Sequence, residues 1–81
     1  MFYTYVLKSL KDGRRYVGYT SKNPLERLQE HNSGTNKHTR QNKPFVLVYT
    51  EEYFTKTEAI KRENFLKSGK GREFLDKIIR L

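Results

Sequence analysis

The stretch FYTYVLKSLKDGRRYVGY, residues 2–19, decides the fold. Residues 2–8 (FYTYVLK) are rich in β-branched and aromatic side chains, the composition of a strand, and residues 15–19 (RYVGY) repeat that composition. Between them, Lys11-Asp12-Gly13 has turn chemistry, with Gly13 free to take a positive φ. An antiparallel hairpin is therefore expected to open the chain.

Asn23-Pro24 then announces a helix. Asn23 suits the cap, Pro24 the first helical position, and Glu26 stands where a capping box wants an acid. The helix should run to about His31 or Asn32 and stop before Gly34. Residues 33–43 (SGTNKHTRQNK) are polar and basic without periodicity, which predicts a surface loop. Beyond Pro44, residues 45–53 (FVLVYTEEY) form the most strand-like run, apolar on both faces over Phe45 to Val48 as in a buried central strand. Thr55 with Glu58 is a second capping box, opening a helix from about Lys56 to Lys67. Gly69 and Gly71 break it, and Arg72 to Arg80 reads as a last amphipathic helix with Phe74, Leu75, Ile78 and Ile79 inward. The order is ββαβαα, an α+β domain in which helices pack against a small three-stranded antiparallel sheet.

Length and composition bound the rest. A chain of 81 residues is one domain, residues 1–81, and buries only about 60% of its unfolded surface. Charged residues are 32% of it, yet six Tyr and five Phe are enough to fill a small core. With no cysteine, disulfide scaffolds and Cys-ligated zinc or iron–sulfur sites are excluded. No apolar run approaches the roughly 20 residues of a membrane span, and no signal-like segment follows Met1, so a cytoplasmic location is expected. Seventeen Lys and Arg against nine Asp and Glu leave a net charge of +8, the footprint of a protein that binds polyanions. These cations are spread along the chain instead of forming one polybasic helix, which argues against a membrane surface as partner.

Several polar residues stand where core residues belong. On the second helix, Ala59, Glu63 and Leu66 share a stripe, so Glu63 is either a boundary residue leaning into water or a buried carboxylate needing a cation or a metal. On the first helix, Arg27 and His31 are four apart and face the same way; spacing alone fits an exposed face or a phosphate-binding pair equally. Tyr3, Tyr5 and Leu7 share one face of the first strand, and Tyr16 and Gly18 one face of the second. A Gly inside a strand leaves an opening for another backbone, and two phenols from paired strands are either core or the wall of one pocket.

The ordered series Tyr3-Thr4-Tyr5-Val6-Leu7, Tyr16-Val17-Gly18, Arg27-Leu28-Gln29-Glu30-His31-Asn32 and Ala59-Ile60-Lys61-Arg62-Glu63 resembles the GIY-YIG endonuclease family. More narrowly, it is similar to the small single-domain bacterial members related to the N-terminal nuclease module of the excision-repair endonuclease. The similarity covers essentially the whole chain, including residues 65–72 (FLKSGKGR). Tyr3 and Thr4 replace the Gly and Ile that give the first half-motif its name, while Tyr5 keeps the functional position. No late Asn of the family is matched, since Asn64 adjoins Glu63 in sequence but faces elsewhere on the helix.

The resemblance implies hydrolysis of a phosphodiester with one divalent metal, Mg²⁺ or Mn²⁺, held by Glu63. Arg27 would stabilise the charge of the transition state, Tyr5 would act as general base on water, Tyr16 would position that water, and His31 would accept the proton or orient the phenol. Arg27 and the metal are expected to lower the pKa of the Tyr5 phenol. Lys37, His38, Arg40 and Lys43 in the loop, and Lys67, Lys70 and Arg72 near the helix junction, are candidates to track a phosphate backbone, with the first amides of the last helix as a further phosphate site. DNA is the expected partner, with RNA left open. A domain this small has no separate reading module, so structure-selective cutting in repair or recombination is expected over sequence specificity. The competing readings are a nucleic-acid-binding module that does not cut and a domain whose charge serves an acidic partner. Oligomeric state, and a partner protein that supplies specificity, stay open.

Overall fold

The computed structural model describes residues 1–35, 37 and 39–79; His38 of the basic loop and Arg80 at the expected end of the last helix lie outside the described residues. Strands β1 (Phe2–Ser9) and β2 (Arg15–Thr20) form the hairpin, followed by α1 (Pro24–Ser33), a 3₁₀ turn (Arg40–Asn42), β3 (Phe45–Tyr53), α2 (Lys56–Lys67) and α3 (Gly69–Ile78). Both strand pairs are antiparallel, in the order β2-β1-β3. The α+β architecture and the ββαβαα order are those the sequence predicts.

The central strand is β1, not β3. Its alternation serves two layers at once. Tyr5 and Leu7 pack with Phe45, Tyr16, Leu28 and Leu47 beneath α1, while Val6 packs with Leu66, Leu75, Val17, Val48 and Phe74 beneath α2 and α3. Thr4 is fully buried among apolar neighbours because its hydroxyl donates to the Ala59 carbonyl at 2.8 Å. The apolar run Phe45 to Val48 lies instead on an edge strand, with a bulge against β1 between Val6 and Leu7, and Thr50 and Glu52 further along it face water.

Local chemistry sets the helix ends. Asn23 caps α1 by accepting from the Leu25 amide at 2.9 Å, and Gly34 ends the helix at φ 83°; Glu26 does not close the expected capping box. The Thr55–Glu58 box does form, Thr55 Oγ1 accepting from the Glu58 amide at 3.2 Å and Glu58 Oε1 accepting from the Thr55 amide at 3.3 Å. One ion pair then locks α2 onto β3. Arg62 donates from Nε and Nη2 to the two Glu51 oxygens at 2.8 and 3.1 Å, while the Tyr49 and Tyr53 hydroxyls donate to the same carboxylate. The Arg62 guanidinium also lies over Phe65 and Phe74, 4.8 and 4.9 Å from their centroids. Glu63 follows immediately on this anchored helix.

The last helix starts at Gly69, not Arg72. Ser68 closes α2 and caps α3, its hydroxyl donating to the Phe65 carbonyl and accepting from the Gly71 amide at 3.2 Å. Gly71 permits a close approach, but to the chain itself: a Cβ there would stand 2.0 Å from the Phe65 carbonyl oxygen and 2.5 Å from Leu66 Cα. At the amide end of α3, the Gly71 N–H is thus taken by Ser68 Oγ. Phe74, Leu75 and Ile79 turn inward, whereas Ile78 is exposed to solvent. Among the described residues no helix is long and apolar enough to cross a membrane.

Candidate active site

Tyr5, Tyr16, Arg27, His31 and Glu63, drawn from β1, β2, α1 and α2, line one pocket of about 300 Å³ together with Val17, Gly18, Tyr19 and Thr39. The pocket lies along the edge strand β2. Helix α1 reaches it from the Tyr5 layer and α2 from the Val6 layer.

Register explains how the phenols meet. Tyr5 pairs with Gly18 and Leu7 with Tyr16, so both tyrosines project from the same sheet face. A Cβ at Gly18 would stand 2.5 Å from the Tyr5 hydroxyl oxygen and 2.7 Å from Cζ. The opening left by this glycine is filled by the Tyr5 ring, not by another backbone. Tyr5 is 4% exposed at its residue surface, yet its hydroxyl reaches the pocket over that gap.

Behind Tyr5 stands a hydrogen-bonded chain. Its hydroxyl is 3.2 Å from His31 Nε2, and His31 Nδ1 is 2.7 Å from Thr39 Oγ1. Both ring nitrogens of this buried histidine are thereby satisfied. Burial, reinforced by the Arg27 charge and opposed by Glu30, lowers the His31 pKa below its usual value and favours the neutral ring. A neutral imidazole has one N–H and one lone pair. When Nδ1–H donates to Thr39, Nε2 is the acceptor for the Tyr5 proton.

Arg27 alone does not bring the phenol down. Burial raises the Tyr5 pKa; Arg27, placed beside it, opposes that rise, and Glu63 and Glu30 add to it. Desolvation wins over the single guanidinium, so Tyr5 holds its proton more firmly than a free tyrosine. His31 Nε2, at 3.2 Å, is the nearest group able to take that proton.

Two acids complete the surroundings. Glu30 accepts from Lys22 Nζ and from Arg27 Nη1, each at 2.7 Å, and these two cations, Lys22 first, lower its carboxyl to about 2. This fixes Arg27 from behind and leaves its remaining donors for the pocket. Glu63 keeps only 15% of its side-chain surface exposed and accepts from Lys67 Nζ at 3.2 Å, one turn further along α2. No group of three or more acidic, histidine or cysteine side chains gathers among the described residues. A single carboxylate beside phenol oxygens suits a hard cation that keeps most of its waters, Mg²⁺ or Mn²⁺, and does not suit zinc.

Two residues escaped the sequence reading. Thr39 supports His31, and Asn42 Nδ2 donates to the Tyr16 hydroxyl at 2.5 Å. Both belong to the segment read only as a polar loop; their spacing of three, one turn of 3₁₀ helix, is the signal that marks them. Asn64 is exposed, as its position on the helix predicts.

The expected phosphate-tracking cations divide into two groups. Lys37, Arg40 and Lys43 are exposed along the segment between α1 and β3. Lys67 and Arg72 line a larger groove at the α2–α3 corner, and Lys70 is exposed in the first turn of α3.

Over residues 1–75 the chain matches the GIY-YIG catalytic domain. It is 42% identical over 67 residues to a UPF0213 protein of Staphylococcus haemolyticus, covering 82% of this chain and 79% of that protein. To a UPF0213 protein of Enterococcus faecalis it is 47% identical over 64 residues, 75% of this chain and 70% of the relative. The solution NMR structure of a UPF0213 protein from Bacillus halodurans superposes with a TM-score of 0.55 at 38% identity, covering 95% of this chain and 84% of that one. With its motif residues in one pocket and its whole sheet inside the matched region, this chain belongs to the GIY-YIG catalytic-domain family, a family of nucleases.

Proposed function

We propose that the protein is a metal-dependent endonuclease that hydrolyses phosphodiester bonds in DNA, choosing its substrate by structure, in repair or recombination. The observation that carries this reading is the convergence of Tyr5, Tyr16, Arg27, His31 and Glu63 on one small pocket in a strongly basic protein. A module that only binds nucleic acid has no use for a largely buried carboxylate on an anion-binding surface.

The residues divide the work as follows. Tyr5 takes the proton of the attacking water while passing its own to His31 Nε2, and Thr39 keeps the histidine in the tautomer that can accept it. Tyr16, held by Asn42, positions the water. Arg27, braced by Glu30, meets the charge that grows on the phosphoryl oxygens. Glu63 would hold the divalent ion, which when bound supplies Lewis-acid stabilisation of the phosphoryl and leaving oxygens.

The test is cleavage of nicked, flapped and branched DNA with Mg²⁺ or Mn²⁺, run beside Glu63→Ala. The expected result is cutting by the wild-type protein and a loss of at least about a hundredfold in the variant. Equal cutting by both proteins overturns the reading. Binding without cutting by either leaves a nucleic-acid-binding module.

A further inference from the structure

A groove of about 800 Å³ separates the β1–β2 turn from the α2–α3 corner. Tyr16 and Val17 line both this groove and the catalytic pocket, so the two are continuous across β2. Arg14, Arg15, Lys67 and Arg72 stand on its rim, and no acidic side chain lines it among the described residues. Arg15 is tied to Asp76 at 2.6 Å and Lys67 to Glu63 at 3.2 Å, both acids lying outside the lining. Arg14 has only a 3.9 Å approach to Asp12, and the Arg72 side chain makes no ion pair among the described residues. The floor is apolar. Val17 is half-buried with Leu66 and Leu75 behind it, and the aliphatic stems of the rim cations extend that surface.

This deepens the nuclease reading and rests on it. Cations above an apolar floor match a ligand with an anionic phosphate and a flat π face, and the volume falls within the roughly 300–1,000 Å³ of small-ligand sites. Duplex DNA lying over the groove would satisfy the cations through its backbone, but its stacked bases would not reach the floor. An unpaired base uses both features, resting on Val17 with a guanidinium above it. We infer that the groove receives the base of an unpaired nucleotide adjoining the scissile phosphate, so that the substrate is DNA with a single-stranded segment beside the cut.

Fluorescence anisotropy of the full chain in EDTA, where no cutting interferes, tests this with a blunt duplex and the same duplex carrying a short single-stranded tail. The tail should tighten binding by about tenfold, the contribution of one stacked base. In Arg14→Glu and Arg72→Glu, both at exposed positions, the ratio of the two affinities should fall toward one. A 4-thiothymidine at the first tail position should crosslink within residues 14–17 or 66–72. Equal affinity for both DNAs in the wild type, an unchanged ratio in both variants, or crosslinks confined to other segments overturns the inference. Cleavage with Mg²⁺ separates the two failures. A protein that prefers the tail but never cuts sinks the nuclease reading and keeps the groove as a binding site. One that cuts tailed and blunt DNA equally sinks the groove and keeps the nuclease.

Discussion

Tyr5 meets His31 across the sheet–helix boundary, hydroxyl to Nε2 at 3.2 Å, with both residues almost completely buried. The contact joins residues 26 positions apart and places a proton acceptor behind the phenol, away from solvent. Its consequences extend to stability as well as chemistry.

Because the folded protein holds His31 below the unfolded value of 6.5, the unfolded chain binds a proton that the native state refuses. The resulting stability is full above pH 6.5 and is lost as pH falls from there through the depressed folded pKa. Urea midpoints should drop between about pH 7.5 and pH 5.5 in the wild type, and the drop should flatten in His31→Gln. Carboxylates do not confuse this window, since Glu30 is lowered from 4.5 to about 2 and its contribution is lost only as pH falls below 4.5. An unaltered slope in the variant would refute the assignment.

Thr39 is a positioning residue, so its removal should act on turnover and not on substrate binding. In Thr39→Val the Nδ1 proton loses its acceptor, and the ring can flip to the tautomer whose Nε2 carries hydrogen. We expect kcat to fall by roughly ten- to a hundredfold with KM nearly unchanged, and Thr39→Ser to recover most of the loss. If KM carried the whole change, Thr39 would be acting on the substrate and not through His31.

Lys67 competes with any cation for Glu63. The exposed ammonium neutralises the carboxylate at 3.2 Å, a contact worth about 0.2–1 kcal/mol in such surroundings. Lys67→Ala should therefore strengthen Mn²⁺ binding, read by electron paramagnetic resonance, by a few-fold at most, while weakening DNA binding in low salt. Glu63→Gln should abolish the Mn²⁺ signal of the bound ion. Weaker Mn²⁺ binding in Lys67→Ala would place the ion elsewhere.

The two glycines of the α2–α3 corner should respond in opposite ways to the same methyl group. At Gly69 nothing stands within 4 Å of an added Cβ, so Gly69→Ala should raise stability by up to about 1 kcal/mol. At Gly71 the Cβ would meet backbone at 2.0 Å, and Gly71→Ala should cost about 3 kcal/mol or more as the corner opens. Chemical denaturation of both variants decides it. Equal effects would mean that the corner is not packed as described.

The sequence made the hairpin, the caps of α1 and α2 and the α+β class readable because each depends on local alternation or on residues within one turn. The place of β3 in the sheet was not readable. Whether Phe45 to Val48 is central depends on which strand pairs on its far side, a long-range choice, and β1 wins because Tyr5 and Val6 serve opposite layers. Gly69 and Gly71 read as a break, yet both lie inside α3 and the break falls at Ser68, since composition cannot tell a chain interruption from a tight corner. The five candidate residues could be named from the family resemblance of their motifs, whereas the desolvation of Tyr5 could not, because it turns on how much water the fold removes. Thr39 and Asn42 lay in a polar segment where their spacing of three is the one local signal, and tertiary contacts give them their purpose.

That short 3₁₀ segment braces two of the five pocket side chains. Thr39 steadies the histidine and Asn42 one tyrosine, and Ser9 Oγ moors the segment to the end of β1 through the Asn42 carbonyl at 2.6 Å, with Lys11 Nζ reaching the Gln41 carbonyl at 2.9 Å. The tip of the first hairpin and the pocket are therefore mechanically joined, although neither touches the other in sequence. Lengthening or shortening the chain by even one residue between positions 39 and 42 would detune His31 and Tyr16 together, so natural relatives that vary in loop length should place their insertions before this segment and spare it.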